Sequence, residues 1–384
     1  MCTWGLTAVM EINRRQFLKW LTIAPAVSSS FSLAAKAEDS QAIIDGQALY
    51  ASASQGDDGL YYIHVVNSEG HELMRHSVPD RAHQVISHPT RPWILGIARR
   101  PGTFIEIVDY QTLTLVKRVE SEPGYHLYGH AQVTDDGRYI ITTENNMATD
   151  EGMVIVRDIE DDFAVVKRFR TQGIGPHQVI LSRDQKTLVV ANGGIRTEGR
   201  EKTNLDTMKP SLVYLDAHSG AVLEQAFLAD EYHQCSIRHI DLSAQGQVII
   251  AMQYQGHPAD QVPIMASHRR GEPLRPLEVP PALQSQLDQY CGSACFDQSG
   301  LYAAVSAPRG DQVMIWDMMD YTLIGTVKTK DGCGLARTHK AGEFIVSTGR
   351  GRLYHVDVAG LERKAIRFDA TPVHWDNHLF PVIA

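Results

Sequence analysis

The segment GYHLYGHAQVTDDGRYIITTEN (residues 124–145) contains two histidines, a polar turn and a run of alternating apolar residues. The histidines are His126 and His130, and the turn is the Asp-Asp-Gly at 135–137. Alternation of apolar and polar residues after a turn is typical of a strand with one buried face. A single occurrence would predict a hairpin, whereas recurrence would predict a repeat fold.

The pattern occurs seven times along the chain. Turn-plus-strand units begin near residues 45, 90, 136, 184, 245, 299 and 341, and each is followed by a second apolar strand. The turns lie about 42 to 61 residues apart, which suits propeller blades joined by loops of variable length. No long segment shows helical periodicity, so the sequence predicts an all-β protein.

Each unit needs a fourth strand, and the chain supplies it ahead of the turn. The candidates are AHQVIS (82–87), GHAQVT (129–134), PHQVIL (176–181), RHIDLS (238–243), SACF (293–296) and LART (335–338). The first unit lacks this strand, but NHLFPV (377–382) near the C-terminal end has the pattern of PHQVIL. The sequence therefore predicts one seven-bladed β-propeller of the YVTN/WD40-like type over residues 38–384. The C-terminal strand is expected to join blade one, which leaves no open sheet edge.

Residues 1–37 are predicted to be a twin-arginine signal peptide that is removed on export. Arg14 and Arg15 precede a moderately apolar stretch that ends in Ala35-Lys36-Ala37, an A-x-A cleavage pattern. This stretch is short and rich in serine, so we do not expect it to span a membrane. These features predict a periplasmic protein that is delivered by the twin-arginine export machinery.

The charge of the chain disfavours some partners. The formal charge is −9, and residues 1–37 carry four basic residues and one acidic residue, which leaves −12 for the remainder. An acidic protein without basic runs is a poor match for nucleic acid or for an anionic membrane surface. We therefore expect no nucleic-acid partner and no membrane span.

Five of the predicted inner strands carry a histidine at nearly the same position. They are His83, His130, His177, His239 and His378. The first strand of each propeller blade lines the central channel, so these side chains are expected to meet at one mouth of it. Imidazole binds iron, copper and zinc, so the set predicts a site for a metal ion or metal-containing cofactor, with iron or copper as candidates. The alternative is that each histidine only caps its strand and hydrogen-bonds to a neighbouring blade.

Further polar residues are expected near the same mouth. A second ring would consist of residues that lie four positions before a histidine of the first set, namely His126, His374 and Cys235. The loops after the second strands place arginines at the rim, where guanidinium groups suit carboxylate or phosphate: Arg99, Arg100, Arg309 and Arg350.

Two more pairings are predicted from position alone. Cys291 and Cys333 occupy comparable places in adjacent blades, so a disulfide between them is expected in an exported protein. Asp376 lies close in sequence to His374 and His378, and a carboxylate beside imidazole could form an acid–base unit.

Eight phrases occur in order after the export signal: RRPGTF, GIGPHQ, VVANGGI, NLDTMKPSLVYLDA, HQCSIRH, AMQYQG, APRGDQV and DGCGLA. Together they resemble an uncharacterised bacterial family, the domain-of-unknown-function family fifteen-thirteen. The resemblance implies an exported, propeller-like protein. It also implies partners from iron uptake, namely imelysin-like and haem-containing periplasmic proteins. It supplies no catalytic residues.

Three functions follow from these observations, in this order of preference. The first is binding of a metal, a metal-containing cofactor or a metal-containing partner at the histidine-lined mouth, as an accessory to iron uptake. The second is a non-catalytic scaffold that holds partner proteins. The third is a lactonase-like hydrolase or an oxidoreductase at the same mouth. The chain has no G-x-S-x-G, phosphate loop or zincin helix, so a non-enzymatic role ranks higher and the catalytic residues are unknown.

Overall fold

Seven antiparallel sheets form the fold that the repeats predict. The computed structural model describes residues 48–198 and 201–382, which lie within the unit Gly46–Ala384. Each sheet is one propeller blade, and its strands follow one another from the channel outward. The predicted signal peptide, residues 1–37, lies outside the described residues.

The strands occupy equivalent places in the seven blades. The inner strands of blades two to seven are Ala82–Ser87, Tyr125–Val133, Pro176–Leu181, Cys235–Leu242, Ser293–Phe296 and Gly332–Arg337. The second strands of blades one to seven are Leu49–Gly56, Trp93–Ala98, Tyr139–Asn146, Thr187–Asn192, Gln247–Tyr254, Tyr302–Ala307 and Glu343–Thr348. The third strands are Tyr61–Asn67, Phe104–Asp109, Glu151–Asp158, Ser211–Asp216, Met265–Arg269, Gln312–Asp317 and Leu353–Asp357. The outer strands are Glu72–Val78, Thr114–Glu120, Ala164–Arg170, Val222–Phe227, Arg275–Pro276, Thr322–Lys328 and Glu362–Ile366.

Short elements occupy the connections. A small hairpin pairs Thr197–Glu198 with Glu201–Lys202 in the long loop of blade four. The helical turns are the α-helix Pro281–Gln284 and the 3-10 helices Leu205–Thr207, Asp230–Tyr232 and Pro308–Gly310. Within the described ranges, no helix has both the length and the apolar character that a membrane crossing requires.

The core lies between neighbouring blades. Second strands such as Trp93–Ala98 and Thr187–Asn192 are buried over almost their whole length, because each face packs against the adjoining blade. Outer strands such as Thr114–Glu120 are mostly exposed, and only Val119 of this strand is buried. Burial of one Val, Leu or Ile side chain stabilises a fold by about 1.5–3 kcal/mol, so the blade interfaces dominate the stability of the ring.

The C-terminal segment closes the ring as predicted. Leu49–Gly56 pairs with two short strands, Val373–Trp375 and Phe380–Val382. Between them the chain leaves the ladder at residues 376–379, and the Ser52 hydroxyl donates to the carbonyl of His378 at 2.6 Å. Trp375 packs with Tyr50, Ile345 and Leu353 in one apolar cluster, which joins blade one to blade seven.

The inner strands carry bulges at the predicted histidine positions. The register shifts between Ala82 and Val85 in blade two, and between Leu127 and Ala131 in blade three. Blades four and five have the same irregularity at their histidines, between Pro176 and Gln178 and between Ile237 and His239. A bulge re-aims a side chain, which accounts for the orientation of His83, His130 and His177, the histidines left out of the ladder. In blade five Arg238 is left out instead, and His239 stays paired with Ala251.

One glycine is required by this arrangement. Gly129 in blade three has φ of +99°, and a Cβ atom there would lie 2.8 Å from the Cβ atom of His83. The bulge of blade three therefore passes directly against the His83 side chain, which leaves no space for a larger residue.

Candidate metal centre in the central channel

The structure brings all five predicted histidines into one cluster, which we call the histidine cluster. The ring centroids of neighbouring members lie between 4.5 Å (His239 to His378) and 5.7 Å (His83 to His239) apart. Four members come from the bulged inner strands of blades two to five, and the fifth comes from the segment between the two closing strands. The members are His83, His130, His177, His239 and His378.

Four members have the geometry of a metal site. One ring nitrogen from each of His83, His130, His239 and His378 lies within 4.8 Å of the corresponding atom of every other member. All four side chains are buried. The protein is thus a β-propeller with a buried four-histidine cluster that could hold a metal ion.

The fifth histidine lies beside this group and contacts one of its members. His177 is partly exposed, and its Nε2 atom lies 2.9 Å from Nε2 of His239, so one ring donates a hydrogen bond to the other. His130 and His378 form a second pair of the same kind, also with 2.9 Å between their Nε2 atoms.

The histidines of the cluster are held in the neutral form. Burial is the main effect that lowers the pKa of His130, His239 and His378 well below the ordinary value, and neighbouring imidazoles add to it. Burial and the charge of His239 lower the pKa of His177 in the same way. Metal ions bind neutral imidazole, so burial prepares these rings for ligation at neutral pH.

A buried carboxylate orients His83. The Oδ1 atom of Asp376 lies 2.9 Å from Nδ1 of His83, and its Oδ2 atom accepts a hydrogen bond from Nε of Arg81 at 2.6 Å. Burial acts to raise the pKa of Asp376, but His83, Arg81 and Arg99 outweigh it and lower this pKa. Burial is also the largest effect on His83 and lowers its pKa, so the pair is a neutral imidazole with an ionised carboxylate.

This pairing corrects the sequence-based expectation for Asp376, whose predicted partners were His374 and His378. Because Asp376 is the first residue of the segment between the closing strands, its side chain reaches across to blade two instead. Nδ1 of His83 donates to the carboxylate, which leaves the lone pair of Nε2 facing the channel.

Several ring nitrogens of the cluster have no hydrogen-bond partner. Among the described residues, Nε2 of His83 and Nδ1 of His130, His177 and His239 are buried and unpaired. An unsatisfied buried polar group costs about 1–3 kcal/mol, so four of them in one place are a large cost for a purely structural arrangement. An ion bound by His83, His130 and His239 would offset part of this cost.

The residues predicted as a second ring are not brought to the cluster. His126 is buried beside Tyr128, and its Nδ1 donates to the carbonyl of Leu127 at 3.0 Å. His374 is exposed, with Nδ1 2.8 Å from the carbonyl of Gly349. Cys235 is buried, and its thiol faces the carbonyl of Pro263.

The predicted disulfide between Cys291 and Cys333 is absent, because all four described cysteines are free thiols. The Cys291 thiol contacts the carbonyl of Ile264 in blade five. The Cys333 thiol instead faces the carbonyls of Trp375 and Asp376 at the closing segment. Cys291 and Cys333 are thus equivalent in the repeat, but their side chains enter different blade interfaces. Burial raises the pKa of the Cys333 thiol to about 12, so without a metal it is protonated at neutral pH.

The predicted rim arginines lie at the ends of second strands, and their contacts differ. Nη1 of Arg100 donates to the Thr197 hydroxyl at 2.6 Å. The Arg309 guanidinium stacks on the Tyr290 ring at 4.4 Å. Arg99 and Arg350 are solvent-accessible. Although part of the Arg99 side chain is exposed, burial of the rest lowers the pKa of Arg99, and the charge of Arg81 lowers it further.

Two arginines near the cluster, Arg81 and Arg238, are not among the site residues predicted from the sequence. Arg81 lies two residues before His83, and Arg238 directly precedes His239. The pattern Arg-His in blade five was the available signal, but a basic residue beside a strand histidine usually points to solvent. The bulge at 237–239 turns Arg238 inward with the histidine.

A polar cavity of about 480 Å³ lies further along the channel, and His378 contributes to its lining. It is formed by residues that follow the cluster histidines along the inner strands, including Gln84, Gln178 and Asp241. Gln84 and Gln178 accept hydrogen bonds from backbone N–H groups of the next blade, so this part of the channel fastens neighbouring blades together.

These features define a class: a seven-bladed β-propeller whose central channel is filled by a buried histidine cluster. Residues 76–382 match the family described as "Protein of unknown function (DUF1513)", and the chain belongs to that family. No curated protein matches the chain.

Two solved structures of differently described proteins are similar to this chain in fold. Hydrazine synthase of Kuenenia stuttgartiensis is similar with a TM-score of 0.56 and 17% identity, over 82% of this chain and 94% of that chain. A Bacteroides fragilis protein provisionally assigned as a 6-phosphogluconolactonase is similar with a TM-score of 0.59 and 13% identity, over 88% of this chain and 98% of that chain. At these identities the likeness concerns the fold alone.

Proposed function

We propose that this propeller binds a first-row transition-metal ion in its channel through His83, His130, His239 and His378. The observation that carries the proposal is the convergence of one ring nitrogen from each, all within 4.8 Å of one another and buried. Four neutral imidazoles form a complete set of ligands for a four-coordinate ion.

The distances suit an ion after a small contraction. In a tetrahedral site with metal–nitrogen bonds of about 2.1 Å, the ligand atoms lie about 3.4 Å from one another. The four ligand nitrogens lie at most 4.8 Å apart, so no pair would have to close by more than about 1.4 Å. Rotation of imidazole rings about their side-chain bonds supplies movements of this size.

The carboxylate of Asp376 supports the same function. A carboxylate on the second nitrogen of a ligating histidine fixes the tautomer and strengthens the ligand, and Asp376 contacts His83 in this way at 2.9 Å. The ion pair with Arg81 in turn holds the carboxylate in place.

The finer form of the proposal concerns the ion and its setting. Imidazole nitrogen suits iron, copper, zinc and nickel. The sequence resemblance favours iron, together with export through the twin-arginine pathway and imelysin-like or haem-containing partners. Cell fractionation with an antibody against the protein tests the location. Co-purification from iron-starved cells tests the partners, and recovery of none would count against a role in iron uptake.

Metal analysis tests the proposal directly. The protein is purified from its own export pathway without a histidine tag or chelator, and metals are quantified by elemental mass spectrometry. The expected result is about one equivalent of one transition metal, after which Co²⁺ added to stripped protein should give the intense visible bands of a tetrahedral nitrogen site. Trace metal together with a Co²⁺ spectrum like that of the hydrated ion would contradict it.

Replacement of Asp376 by asparagine is expected to weaken Zn²⁺ binding about 10- to 100-fold, the usual effect of removing an outer carboxylate partner. The asparagine still accepts the hydrogen bond from His83 but no longer stabilises positive charge on the ring. Competition with a chromophoric chelator measures the affinity. Asp297→Asn is the matched control, because Asp297 is also a buried carboxylate but binds Ser299 and Gly342 instead. Equal affinities in the two variants would show that Asp376 does not support a metal ligand.

A further inference from the structure

Arg238 is a half-buried cation whose Nε atom lacks a partner. It precedes His239 within the bulge of blade five, and its Nε atom is buried and makes no hydrogen bond in the described part of the chain. A guanidinium group is charged at neutral pH. A buried guanidinium usually has a carboxylate or several acceptors within reach.

Other cations surround Arg238 at the same mouth. Arg99 and Arg100 both act on its pKa, and so do the hydroxyl groups of Tyr128 and Tyr290. The blade-four hairpin adds Lys202, whose pKa is lowered by burial and then by Arg238 and Arg100, and whose Nζ donates to Gln255 at 2.5 Å. We call this group, Arg99, Arg100, Lys202 and Arg238, the cationic basin.

The carboxylates near the basin already have other partners. Asp376 binds His83 and Arg81. Asp150 lies 3.0 Å from Arg196, and Asp288 lies 3.6 Å from Arg309. Over residues 48–198 and 201–382, none of the four basin cations forms an ion pair, in a chain whose total formal charge is −9.

Two tyrosines add neutral donors. The Tyr290 hydroxyl oxygen accepts a hydrogen bond from Nδ2 of Asn377 at 3.2 Å, so its O–H group remains available to donate. Tyr128 is buried at the edge of the basin beside His126. Guanidinium forks and phenolic O–H groups that lie close together are a donor set that proteins use for oxyanions.

We infer that the cationic basin is a binding site for a small oxyanion of carboxylate or phosphate type that carries at least two negative charges. The unpaired Nε of Arg238 provides one buried donor, and Arg99 and Arg100 provide the neighbouring guanidinium groups. The site uses none of the four proposed metal ligands, although Arg238 directly precedes His239.

Calorimetric titration of the full-length protein tests the inference. The probes are inorganic phosphate and succinate at pH 7.5 in a low-chloride buffer, with acetate as the monovalent comparison. We expect saturable binding of one equivalent of phosphate or succinate, at least ~10-fold tighter than acetate. Arg238→Gln should reduce this affinity about 10- to 100-fold, because it removes charge-assisted hydrogen bonds.

Arg183→Gln is the matched control, since Arg183 lines the cavity further along the channel and its loss removes the same charge. Its affinity should equal that of the wild type. Arg99→Gln is the second variant if Arg238→Gln lowers the unfolding temperature, because Arg99 is solvent-accessible and its replacement leaves no buried space.

The outcomes are decisive in each case. Preference for succinate identifies a carboxylate site, and preference for phosphate identifies a phosphate site; both support the inference. Binding no tighter than that of acetate, or binding that is unchanged in both basin variants, overturns it. The titrations use metal-free protein, so that an ion in the histidine cluster cannot contribute to anion binding.

Discussion

Replacement of His130 by alanine is expected to remove most of the stabilisation that Zn²⁺ gives the wild-type protein. At a free Zn²⁺ concentration about 1,000-fold above Kd, binding to the folded state raises the free energy of unfolding by about 4 kcal/mol. Loss of a direct ligand should weaken affinity more than about 100-fold, the upper effect of an outer partner. At the same Zn²⁺ concentration, the variant would then gain only about 1.4 kcal/mol.

His177→Ala is the control within the same cluster. His177 lies outside the four-residue ligand group but hydrogen-bonds to His239, so as an outer partner its loss should weaken Zn²⁺ affinity by no more than about 10- to 100-fold, less than the loss of a direct ligand. Urea unfolding of each variant, with and without Zn²⁺, measures both quantities, and the metal-free curves show whether the substitution itself costs stability. Equal losses in the two variants would mean that the four-residue set is not the ligand set.

Metal-free protein is expected to lose stability steeply as the pH falls from 7 to 5.5. The pKa values of His130, His177, His239 and His378 are lowered well below 6.5 in the folded state, with burial as the first cause. The unfolded chain binds protons at these four sites below pH 6.5, and the folded protein does not. Their combined contribution is fully present above pH 6.5 and should fall by about 5 kcal/mol between pH 7 and pH 5.5.

A loss of this size is large against the 5–15 kcal/mol of a typical domain. We therefore expect unfolding near pH 5 in the absence of metal, and saturating Zn²⁺ should move this transition to lower pH. The free energy of unfolding from urea titrations at several pH values gives the slope. A decrease of less than about 1 kcal/mol between pH 7 and 5.5 would mean that the imidazoles take up protons in the folded state.

The fold could be predicted because its determinants are local and repeated. Each blade carries its own turn and strand alternation, so seven weak signals support one another, and the missing inner strand of blade one identified the closing segment. Residues at equivalent positions of the inner strands must lie near the axis of a closed ring. The convergence of His83, His130, His177, His239 and His378 followed from the repeat alone.

The remaining contacts of the site depend on bulges and long-range pairing that a repeat pattern does not show. Asp376 and His83 are 293 positions apart, and only closure of the ring brings them into contact. His126 precedes His130 by four residues, but the bulge after Leu127 separates the two side chains. Arg238 enters the mouth because a bulge re-aims it, and the alternation of the flanking residues gives no sign of this.

The position of His378 links assembly of the ligand set to completion of the chain. His378 lies between the two strands that fasten the last residues to the first sheet, so an incomplete chain lacks both the fastening and the fourth ligand. An ion held there would act as a cross-link over the seam of the ring. Detachment of the terminus would then cost the binding free energy of the ion as well as the strand contacts, and metal content would report how many molecules have closed.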